Sequence, residues 1–388
     1  MTLSTRFAAL DPREYALPDG LADRLLTPAL VVHLDRVREN VRRVIALAGG
    51  DPDRWRPHVK TTKIPEVFAA LADAGVRHFK CATTRELAWL LHTLETRGAG
   101  GADVLLAHPL GGPGLARLVD LARGHPAARI SLLAEDPQAA AGLPPALGVF
   151  VDVNPGMDRT GIPAADEAAI LAVAAAAGAR FRGLHWYEGQ LRDPDLAARR
   201  RAACAGYERL LAIAARLRAA GTPAAELVTS GTPTFLAALA YAPFRALAGV
   251  RHRVSPGTVV FHDLLSEQEN PDLDLLPAAL VAARVVSHPA PGLATCDAGA
   301  KSIAAEAGDP GAFVLGHPEL AAQRPSEEHL PLWSSTGERP ARGDLLFLVP
   351  RHVCPTVDLH EQAVLLDGGA LAGIVPVRAR AHDLLARP

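Results

Sequence analysis

Lysine is scarce in this 388-residue chain, so its few positions are candidates for amine chemistry. Four lysines occur against 36 arginines, and arginine therefore supplies most of the generic positive charge. A lysine amine can lose its proton and condense with a carbonyl, whereas a guanidinium stays protonated. Two of the four lysines lie in the segment Arg56–Lys63, and the others are Lys80 and Lys301. Composition leaves two interpretations open: an imine-forming lysine, or lysines that persist by chance in an arginine-rich sequence.

A histidine and a cysteine, His352 and Cys354, lie two residues apart in the segment Pro350–Val357, which we predict to be a strand. Side chains at positions i and i+2 of a strand face the same way, so the imidazole and the thiolate would converge. Strands contain such pairs by chance, and a structural zinc site needs four protein ligands. Two ligands leave positions open for a substrate oxygen, and a thiolate favours Zn²⁺ over magnesium or manganese. From the residues alone, a chance pair and a divalent-metal site with open positions both stay open as interpretations.

The composition is that of a globular enzyme without an obvious macromolecular partner. Hydrophobic residues make up 49% of the chain and the net charge is −2, which argues against a nucleic-acid surface or a polybasic membrane anchor. No apolar run is long enough to span a bilayer, and the N-terminus lacks the apolar stretch of a signal peptide. The four cysteines are too few and too scattered for a disulfide scaffold. We therefore expect a cytoplasmic protein.

Short apolar runs alternate with alanine- and leucine-rich helical stretches up to about residue 260, as in parallel βαβ units. Setting aside the first run, Ala29–Leu34, eight runs remain, from Arg56–Lys60 to Arg251–Phe261, which is the number in a closed (β/α)₈ barrel. After about residue 260, apolar and polar residues alternate within the runs, and turns rich in Gly, Pro and Asp separate the runs. The sequence thus predicts an α/β protein with a TIM-type barrel at residues 27–255. It also predicts a β-rich C-terminal domain at residues 256–388, with residues 1–26 packed on it.

Such barrels place catalytic residues at the carboxyl ends of their strands, and their late loops commonly bind phosphate. Lys60 ends the first predicted barrel strand. The turns Ser230-Gly231-Thr232 and Pro256-Gly257-Thr258 follow the last two strands, where backbone N–H groups could hold a phosphate. An amine on one side and a phosphate cradle on the other describe a site for pyridoxal 5′-phosphate.

Several motifs, in order, resemble those of the D-threonine aldolase and D-serine dehydratase family. They are Arg56–Lys63 with Pro65-Glu66, Lys80–Thr84, Asp152–Gly161, Ser326–His329 and Pro350–Val357, and the match spans roughly residues 27–380. The resemblance implies an alanine-racemase-like barrel with a β-domain, usually a homodimer, that binds pyridoxal 5′-phosphate. It also implies that Lys60, rather than Lys63, bonds the cofactor. Two departures stand out, because many relatives carry a histidine at Thr62 and often a tyrosine near Val259 or Val260.

The resemblance assigns further residues to the cofactor site. It places Arg159 beside the cofactor, where a guanidinium would fix the charge of the ring, and Tyr187 against the cofactor. His58 shares a predicted strand face with Lys60 and could tune its proton affinity, or make a structural hydrogen bond. His329 is either an acid/base residue or part of a solvated turn. Lys80 and Lys301 receive no role.

For the metal pair, the resemblance implies a metal at His352 and Cys354. His-x-Cys is typical of dehydratase-like members and His-x-Asp of aldolases, so Cys354 favours dehydration of a D-3-hydroxy amino acid to a 2-oxo acid and ammonia. Retro-aldol cleavage to glycine and an aldehyde stays the alternative. Asp358 and His360 are candidates for outer contacts rather than ligands.

Other functions on this fold fit the residues less well. A racemase of this fold needs a tyrosine from the C-terminal domain, but no tyrosine follows Tyr241. A decarboxylase would need a C-terminal cysteine, for which Cys296 is the candidate. A non-catalytic cofactor-binding protein would be a bare barrel, whereas this chain has a second domain that carries His352 and Cys354.

Overall fold

The computed structural model describes residues 5–385, which pack into two compact units. The barrel unit comprises Val44–Lys60, Leu71–Gly257 and the residues from Ala381 onward. The β-rich unit comprises the residues up to Arg43, Thr61–Ala70 and Thr258–Arg380. Residues 27–43 and 61–70 therefore pack with the β-rich unit, and the predicted domain boundary at residues 255 and 256 stays a prediction. Residues 1–4 and 386–388, which the predicted domain spans include, lie outside the described residues.

Strands and helices are numbered in chain order over the described residues. The strands are β1 (Ala29–His33), β2 (His78–Cys81), β3 (Asp103–Leu106), β4 (Arg129–Ala134), β5 (Gly148–Asn154), β6 (Ile162–Pro163), β7 (Phe181–Trp186), β8 (Glu226–Thr229), β9 (Arg251–Val254), β10 (Ala279–Ala290), β11 (Leu293–Cys296), β12 (Ala312–Val314), β13 (Leu320–Ala322), β14 (Leu330–Ser334), β15 (Leu345–Pro350), β16 (Gln362–Asp367) and β17 (Ala370–Pro376). The α-helices are α1 (Thr5–Ala8), α2 (Leu34–Leu47), α3 (Pro65–Asp73), α4 (Thr84–Thr96), α5 (Gly112–Gly124), α6 (Pro137–Gly142), α7 (Glu167–Ala177), α8 (Leu196–Ala219), α9 (Phe235–Ala240), α10 (Leu264–Glu269) and α11 (Val353–Leu359).

In the barrel unit, seven parallel strands pair in the order β2, β3, β4, β5, β7, β8 and β9. The segment 55–59 joins the two ends of this sheet, because Trp55 pairs in parallel with Val254 of β9 and His58 pairs in parallel with Lys80 of β2. The Val59 N–H donates to the Lys80 carbonyl at 2.8 Å. The predicted TIM-type barrel is thus confirmed. The segment 55–59 takes the eighth strand position through these bridges, and the last strand ends at Val254 rather than at Phe261.

The sequence explains why these segments form buried strands with capped helices between them. Parallel strands covered by helices are mostly apolar, and the apolar residues of β3, Val104–Leu106, are fully buried. Helix α4 begins with a capping box, in which the Thr83 hydroxyl accepts the Glu86 N–H at 3.0 Å and the Glu86 carboxylate accepts the Ala82 N–H at 2.7 Å. This box fixes the turn that directly follows β2.

Charged side chains hold together the amino ends of the barrel strands. Arg56 is fully buried, and its guanidinium donates to both carboxylate oxygens of Glu226 at 2.9 and 2.8 Å and to the Asp103 carboxylate at 2.9 Å. Asp103 begins β3 and Glu226 begins β8, and Arg253 of β9 also pairs with Glu226 at 2.7 Å. One guanidinium therefore connects the segment 55–59 to strands on other sides of the barrel.

The β-rich unit is a mostly antiparallel sheet in the order β11, β14, β13, β12, β15, β10, β1, β16 and β17, and β10 also pairs with β11. The first apolar run therefore belongs here, since β1 pairs with β10 and β16. Phe7 and Tyr15 pack against the buried core of this unit. The sheet confirms the predicted C-terminal β-rich fold. No helix among residues 5–385 is long and apolar enough to cross a membrane.

Replacing Arg56 with methionine should destabilise the barrel strongly, because two buried carboxylates lose their main partner. Breaking a buried ion pair from one side costs about 3–5 kcal/mol. Arg216→Met is the matched control, since Arg216 is mostly exposed and its pair with Glu167 should contribute about 1 kcal/mol or less. Urea unfolding followed by circular dichroism measures both variants. Equal, small losses in the two variants would contradict a structural role for Arg56.

Candidate active site

The predicted site residues of the barrel unit lie at the carboxyl ends of its strands. Lys60 follows the segment 55–59 directly and is partly buried. Tyr187 follows β7, Ser230 follows β8, and Arg159 lies in the loop after β5. Because the strands are parallel, these ends meet at the same edge of the barrel, opposite the Arg56 cluster. The barrel thus brings its predicted site residues to one end.

His58 and Lys63 are placed differently from Lys60. The Lys60 N–H donates to the His58 ring nitrogen Nδ1 at 3.5 Å, so the imidazole meets the lysine backbone. Lys63 belongs to the β-rich unit, where its amine donates to the Cys354 carbonyl at 3.1 Å and lies 3.7 Å from the Asp358 carboxylate. Of the first two lysines, Lys60 alone is therefore part of the barrel unit.

Tyr187 forms the centre of a packed group at the barrel edge. The Arg159 guanidinium lies 4.8 Å from the centroid of its ring, and the Lys80 amine lies 5.7 Å from it. Two glycines make room for the ring, since a Cβ on Gly189 would come within 2.5 Å of Tyr187 and one on Gly231 within 2.9 Å. The predicted phosphate turn and the predicted ring contact therefore pack against each other.

Glu188, whose role the sequence did not reveal, fixes the shape of the Ser230-Gly231-Thr232 turn. Its buried carboxylate accepts the Tyr207 hydroxyl at 2.7 Å, the Thr234 hydroxyl at 2.8 Å and the Ser230 N–H at 3.3 Å. Burial raises the pKa of Glu188, although these hydrogen bonds oppose the shift. Ser230 has a φ of +61°, which L-residues rarely adopt. The carboxylate holds this strained turn in place.

Asp152 and His185 form a buried pair on neighbouring strands. Asp152 accepts from His185 Nδ1 at 2.7 Å and from the Thr160 hydroxyl at 2.8 Å. Burial alone would raise the pKa of Asp152, but the hydrogen bonds from His185 and Thr160 and the imidazole charge lower it below its usual value. Burial lowers the pKa of His185 despite its acidic partner. The ring nitrogen Nδ1 is thereby committed to Asp152, which fixes the orientation of the imidazole.

Lys80 is the second buried residue whose place in the site only the structure reveals. It lies in β2 and its side chain is inside the barrel unit, 2% exposed. Burial lowers the pKa of Lys80 to about 7, and the positive charges of Lys60, Arg159 and Arg56 add to the shift. A signal was present in the sequence, since Lys80 is one of only four lysines, but its neighbours were not visible there.

The second predicted phosphate turn lies where the chain passes from one segment to the next. Gly257 ends a segment of the barrel unit and Thr258 begins one of the β-rich unit. Trp55 donates to the Pro256 carbonyl at 3.0 Å, which ties the preceding residue to the barrel. Val259 and Val260 are buried in the β-rich unit. The phosphate role of Gly257 and Thr258 stays a prediction.

The strand predicted for His352 and Cys354 is wrong. Strand β15 ends at Pro350, His352 lies just before α11, and Cys354 is in the first turn of that helix. The imidazole still hydrogen-bonds the cysteine side chain, and the Thr61 hydroxyl lies 3.1 Å from the Cys354 sulfur. Burial would lower the pKa of His352, but the hydrogen bond and charge of Cys354, together with the charges of Asp263 and Glu306, raise it above the usual value. A helix start, rather than strand alternation, brings the two donors together.

The other predicted residues of the β-rich unit make contacts of their own. His329 is exposed in the turn before β14, and its carbonyl accepts the Ser326 N–H at 2.9 Å. In the same turn, Glu327 and Glu328 pair with the exposed Lys301. His360 contacts the Ser302 carbonyl at 3.0 Å. Within residues 5–385, no three His, Cys, Asp or Glu side chains cluster as a complete set of metal ligands.

Comparisons with known proteins cover almost the whole chain. Residues 32–263 match the family model of the alanine racemase N-terminal domain, and residues 278–366 match that of the putative serine dehydratase domain. The chain is 31% identical over 381 residues to a D-threonine aldolase from Arthrobacter sp, covering 94% of this chain and 95% of that protein. The crystal structure of D-threonine aldolase from Filomicrobium marinum is similar with a TM-score of 0.81 and 27% identity, covering 94% of this chain and 98% of that one.

A dehydratase is also similar. D-threo-3-hydroxyaspartate dehydratase from Delftia sp. (strain HT23) is 30% identical over 309 residues, covering 74% of this chain and 76% of that protein. Its structure has a TM-score of 0.74 at 26% identity, covering 93% of this chain and 99% of that one. Two further similar structures of a D-threo-3-hydroxyaspartate dehydratase carry a histidine-to-alanine and a cysteine-to-alanine change two positions apart, and the cysteine variant is in a metal-free form. This spacing equals that of His352 and Cys354.

Replacing Glu188 with alanine should destabilise the barrel edge, because three buried donors lose their acceptor. Each unsatisfied buried donor costs about 1–3 kcal/mol, so we expect a loss of about 3 kcal/mol or more. Tyr207→Phe removes one of these hydrogen bonds and should cost about 1 kcal/mol. Thermal and urea unfolding measure both variants. A Glu188→Ala protein as stable as Tyr207→Phe would show that the carboxylate does not organise the turn.

Proposed function

The chain belongs to the alanine-racemase-like family of pyridoxal-phosphate-dependent lyases, and we propose that it dehydrates D-3-hydroxy amino acids to a 2-oxo acid and ammonia. The substrates of this class include D-serine and D-threo-3-hydroxyaspartate. The observation that carries the proposal is the barrel edge, where Lys60, Arg159, Tyr187 and the Ser230 turn meet at the ends of parallel strands. The His352–Cys354 pair supports the choice of reaction.

The chemistry of the barrel edge fits pyridoxal phosphate. Lys60, Lys80 and Arg159 are cationic groups, while the buried Glu188 carboxylate is already engaged by three donors. This surplus of positive charge suits a phosphate and a substrate carboxylate. Lys60 would bond the cofactor, Arg159 and Tyr187 would contact its ring, and Ser230, Gly231 and Thr232 would hold its phosphate with Gly257 and Thr258. When bound, the cofactor supplies a ring that withdraws electrons from the α-carbon of the substrate.

His352 and Cys354 would hold a divalent metal, for which Zn²⁺ is the best match. One imidazole and one thiolate are donors that zinc accepts, and a pair of protein ligands leaves positions for the substrate. Cys354 is 7% exposed, so its thiolate would be largely shielded from bulk water. The metal would supply Lewis-acid chemistry at the 3-hydroxyl group. The spacing of the substituted histidine and cysteine in the D-threo-3-hydroxyaspartate dehydratase variants supports this assignment.

The residues of the chain would divide the work of dehydration as follows. The Lys60 amine would be the base that takes the proton from the α-carbon of the substrate. Arg159 would fix the charge on the ring and Tyr187 its orientation. His58 meets the backbone of Lys60 and so supports its position, and His329 stays a candidate acid/base residue of the β-rich unit. Glu188 would keep the phosphate turn in its strained conformation.

Retro-aldol cleavage is the second candidate, because the relatives from Arthrobacter and Filomicrobium are named D-threonine aldolases. In that reaction a base takes the proton of the 3-hydroxyl group and the Cα–Cβ bond breaks. Cys354 favours dehydration, since the resemblance gives aldolases an aspartate at this position. We further propose that the protein is cytoplasmic and forms a homodimer. Light scattering of the purified protein tests the homodimer.

The product of the reaction separates the two candidates. Purified protein should convert D-serine, D-threonine or D-threo-3-hydroxyaspartate mainly to 2-oxo acid and ammonia. Chromatography measures the amounts of 2-oxo acid and of glycine that are formed. Cys354→Asp should increase the share of glycine, because a carboxylate replaces the thiolate at the metal. Cys204→Ser is the control, since Cys204 is a half-buried free cysteine on α8. Glycine as the main product of the wild-type protein would contradict dehydration.

Lys60→Arg should abolish both cofactor attachment and turnover, because a guanidinium cannot form the imine. The attached cofactor absorbs at about 420 nm, and this band should be lost in the variant. Lys301→Arg is the control, because Lys301 is exposed and pairs with the surface carboxylates of Glu327 and Glu328. A Lys60→Arg protein that keeps the band and its activity would disprove the assignment of Lys60.

A further inference from the structure

A cleft at the amino end of the barrel takes no part in the proposed function. Its volume is about 690 Å³, which lies within the range of about 300–1,000 Å³ for small-molecule sites. It lies where the chain enters the segment 55–59, β8 and β9, at the end of the barrel opposite the Ser230 turn. We call it the amino-end cleft. Its charged and aromatic lining consists of six side chains of the barrel unit, Asp51, Arg54, Phe244, Arg245, Arg251 and His252.

Three arginine side chains line the amino-end cleft together with one carboxylate. Arg251 pairs with this carboxylate, since its Nη1 lies 3.3 Å from the Asp51 oxygen Oδ2. In the part of the chain that the structure describes, residues 5–385, Arg54 and Arg245 form no ion pair. Three guanidinium groups against one carboxylate leave the lining with two positive charges in excess. The cleft is therefore suited to an anion that carries two negative charges.

Backbone carbonyls hold two of the three guanidinium groups in place. The Arg54 nitrogen Nη1 donates to the Ala48 carbonyl at 3.0 Å, and the Arg245 nitrogen Nη2 donates to the Leu239 carbonyl at 3.1 Å. A guanidinium has five N–H donors, so both arginines keep donors for a ligand. Because the two side chains are already held in one orientation, they lose less conformational entropy when a ligand binds.

The three guanidinium groups are close enough to repel one another. Burial lowers the pKa of Arg54, the charge of Arg245 lowers it further, and the charge of Arg251 adds to this shift against the opposing charge of Asp51. A guanidinium nevertheless stays protonated at neutral pH. The repulsion cannot be relieved by loss of a proton, and a bound anion would relieve it.

The buried part of the lining contains a polar atom without a partner. Phe244 and His252 stack with their ring centroids 3.8 Å apart, and both are buried. The His252 nitrogen Nε2 lies 2.8 Å from the Thr229 hydroxyl, but Nδ1 is buried and has no hydrogen-bond partner among residues 5–385. Burial lowers the pKa of His252 to about 3, and the charges of Arg54 and Arg253 add to the shift, so the imidazole is neutral. Buried polar atoms are normally hydrogen-bonded, and a ligand is one source of the missing partner.

We propose that the amino-end cleft binds a small phosphate monoester through Arg54 and Arg245. At pH 7 a phosphate monoester carries about 1.5–2 negative charges, which match the two positive charges in excess. Guanidinium groups bind phosphate oxygens with paired, charge-assisted hydrogen bonds. The cleft has room for the organic part of the ester beside the apolar side chains of Leu247 and Val250. The inference goes beyond the proposed function and does not depend on it, because the cleft and the cofactor site lie at opposite ends of the barrel.

Phenyl phosphate is the probe, and phenyl sulfate is its control, because the two have similar shapes but the sulfate carries a single negative charge. The full-length protein is loaded with pyridoxal phosphate, freed of excess cofactor by gel filtration and titrated with each probe in a calorimeter. We expect phenyl phosphate to bind with a dissociation constant of about 1 mM or lower. Phenyl sulfate should bind about tenfold more weakly or worse, because it pairs with only one of the two excess charges.

Variants of the lining change the affinity for phenyl phosphate in opposite directions. Arg54→Met and Arg245→Met should each weaken binding about tenfold or more, because each removes a charge-assisted hydrogen bond. Asp51→Asn should strengthen binding about threefold or more, because the opposing negative charge is lost. The asparagine oxygen can still accept the Asp53 N–H, which Asp51 accepts at 2.9 Å. Arg123→Met is the matched control, since Arg123 is an exposed arginine of α5 that does not line the cleft.

Three results would each overturn the inference. They are no binding of phenyl phosphate by the wild-type protein up to about 10 mM, equal binding of the two probes, and unchanged affinity in Arg54→Met and Arg245→Met. Circular dichroism checks that each variant folds. If Arg54→Met does not fold, Arg245→Met and Asp51→Asn decide the question.

The cofactor separates the cleft from the proposed active site. Cofactor-free and loaded protein should bind phenyl phosphate at the cleft with the same affinity. If loading with pyridoxal phosphate abolished the binding, the probe would occupy the cofactor site and the inference would fail. If the protein took up no pyridoxal phosphate, the proposed function would fail, and calorimetry of the lining variants would still decide whether the cleft binds the probe.

Discussion

The buried guanidinium of Arg56 is the interaction on which the barrel unit depends. The segment 55–59 has no full strand ladder, and backbone bridges at Trp55 and His58 connect it to its two neighbours. Arg56 supplements these bridges by binding Glu226 and Asp103, which begin strands elsewhere in the ring. Because the guanidinium is fully buried and charge-paired, the segment cannot slide without exposing or unpairing charge. Its register is therefore fixed, and Lys60 comes to the opposite, carboxyl edge four residues later.

The carboxyl edge follows a different physical rule, since several positively charged side chains gather there. Lys60, Lys80 and Arg159 interact there, and the carboxylate of Glu188 is occupied by the Tyr207, Thr234 and Ser230 donors. Such an edge is suited to anionic ligands, and a cofactor phosphate with a substrate carboxylate meets that requirement. The amino edge thus provides stability, while the carboxyl edge keeps charge available for binding and proton transfer.

Much of the barrel could be predicted from the sequence, because parallel strands covered by helices leave continuous apolar runs such as Val104–Leu106. The helix that begins beside His352 could not be predicted from the sequence, because Val353 and Val357 favour strands locally. Pro355 lies in the first turn of α11, where a helix tolerates proline. Tertiary packing therefore favours the helix over the local strand preference. The roles of Lys80 and Glu188 depend on neighbours that are remote in sequence, such as Arg159 and Tyr207. Residue types and spacing alone do not reveal these contacts.

The attachment of the cofactor to Lys60 is the central claim, and chemical trapping tests it most directly. Protein incubated with pyridoxal phosphate is reduced with borohydride and digested, and the peptides are sequenced by mass spectrometry. The account predicts a pyridoxyl group on Lys60, in the segment Arg56–Lys63, that disappears when Lys60 is replaced. A pyridoxyl group mainly on Lys63 or Lys80, with Lys60 unmodified, would contradict it.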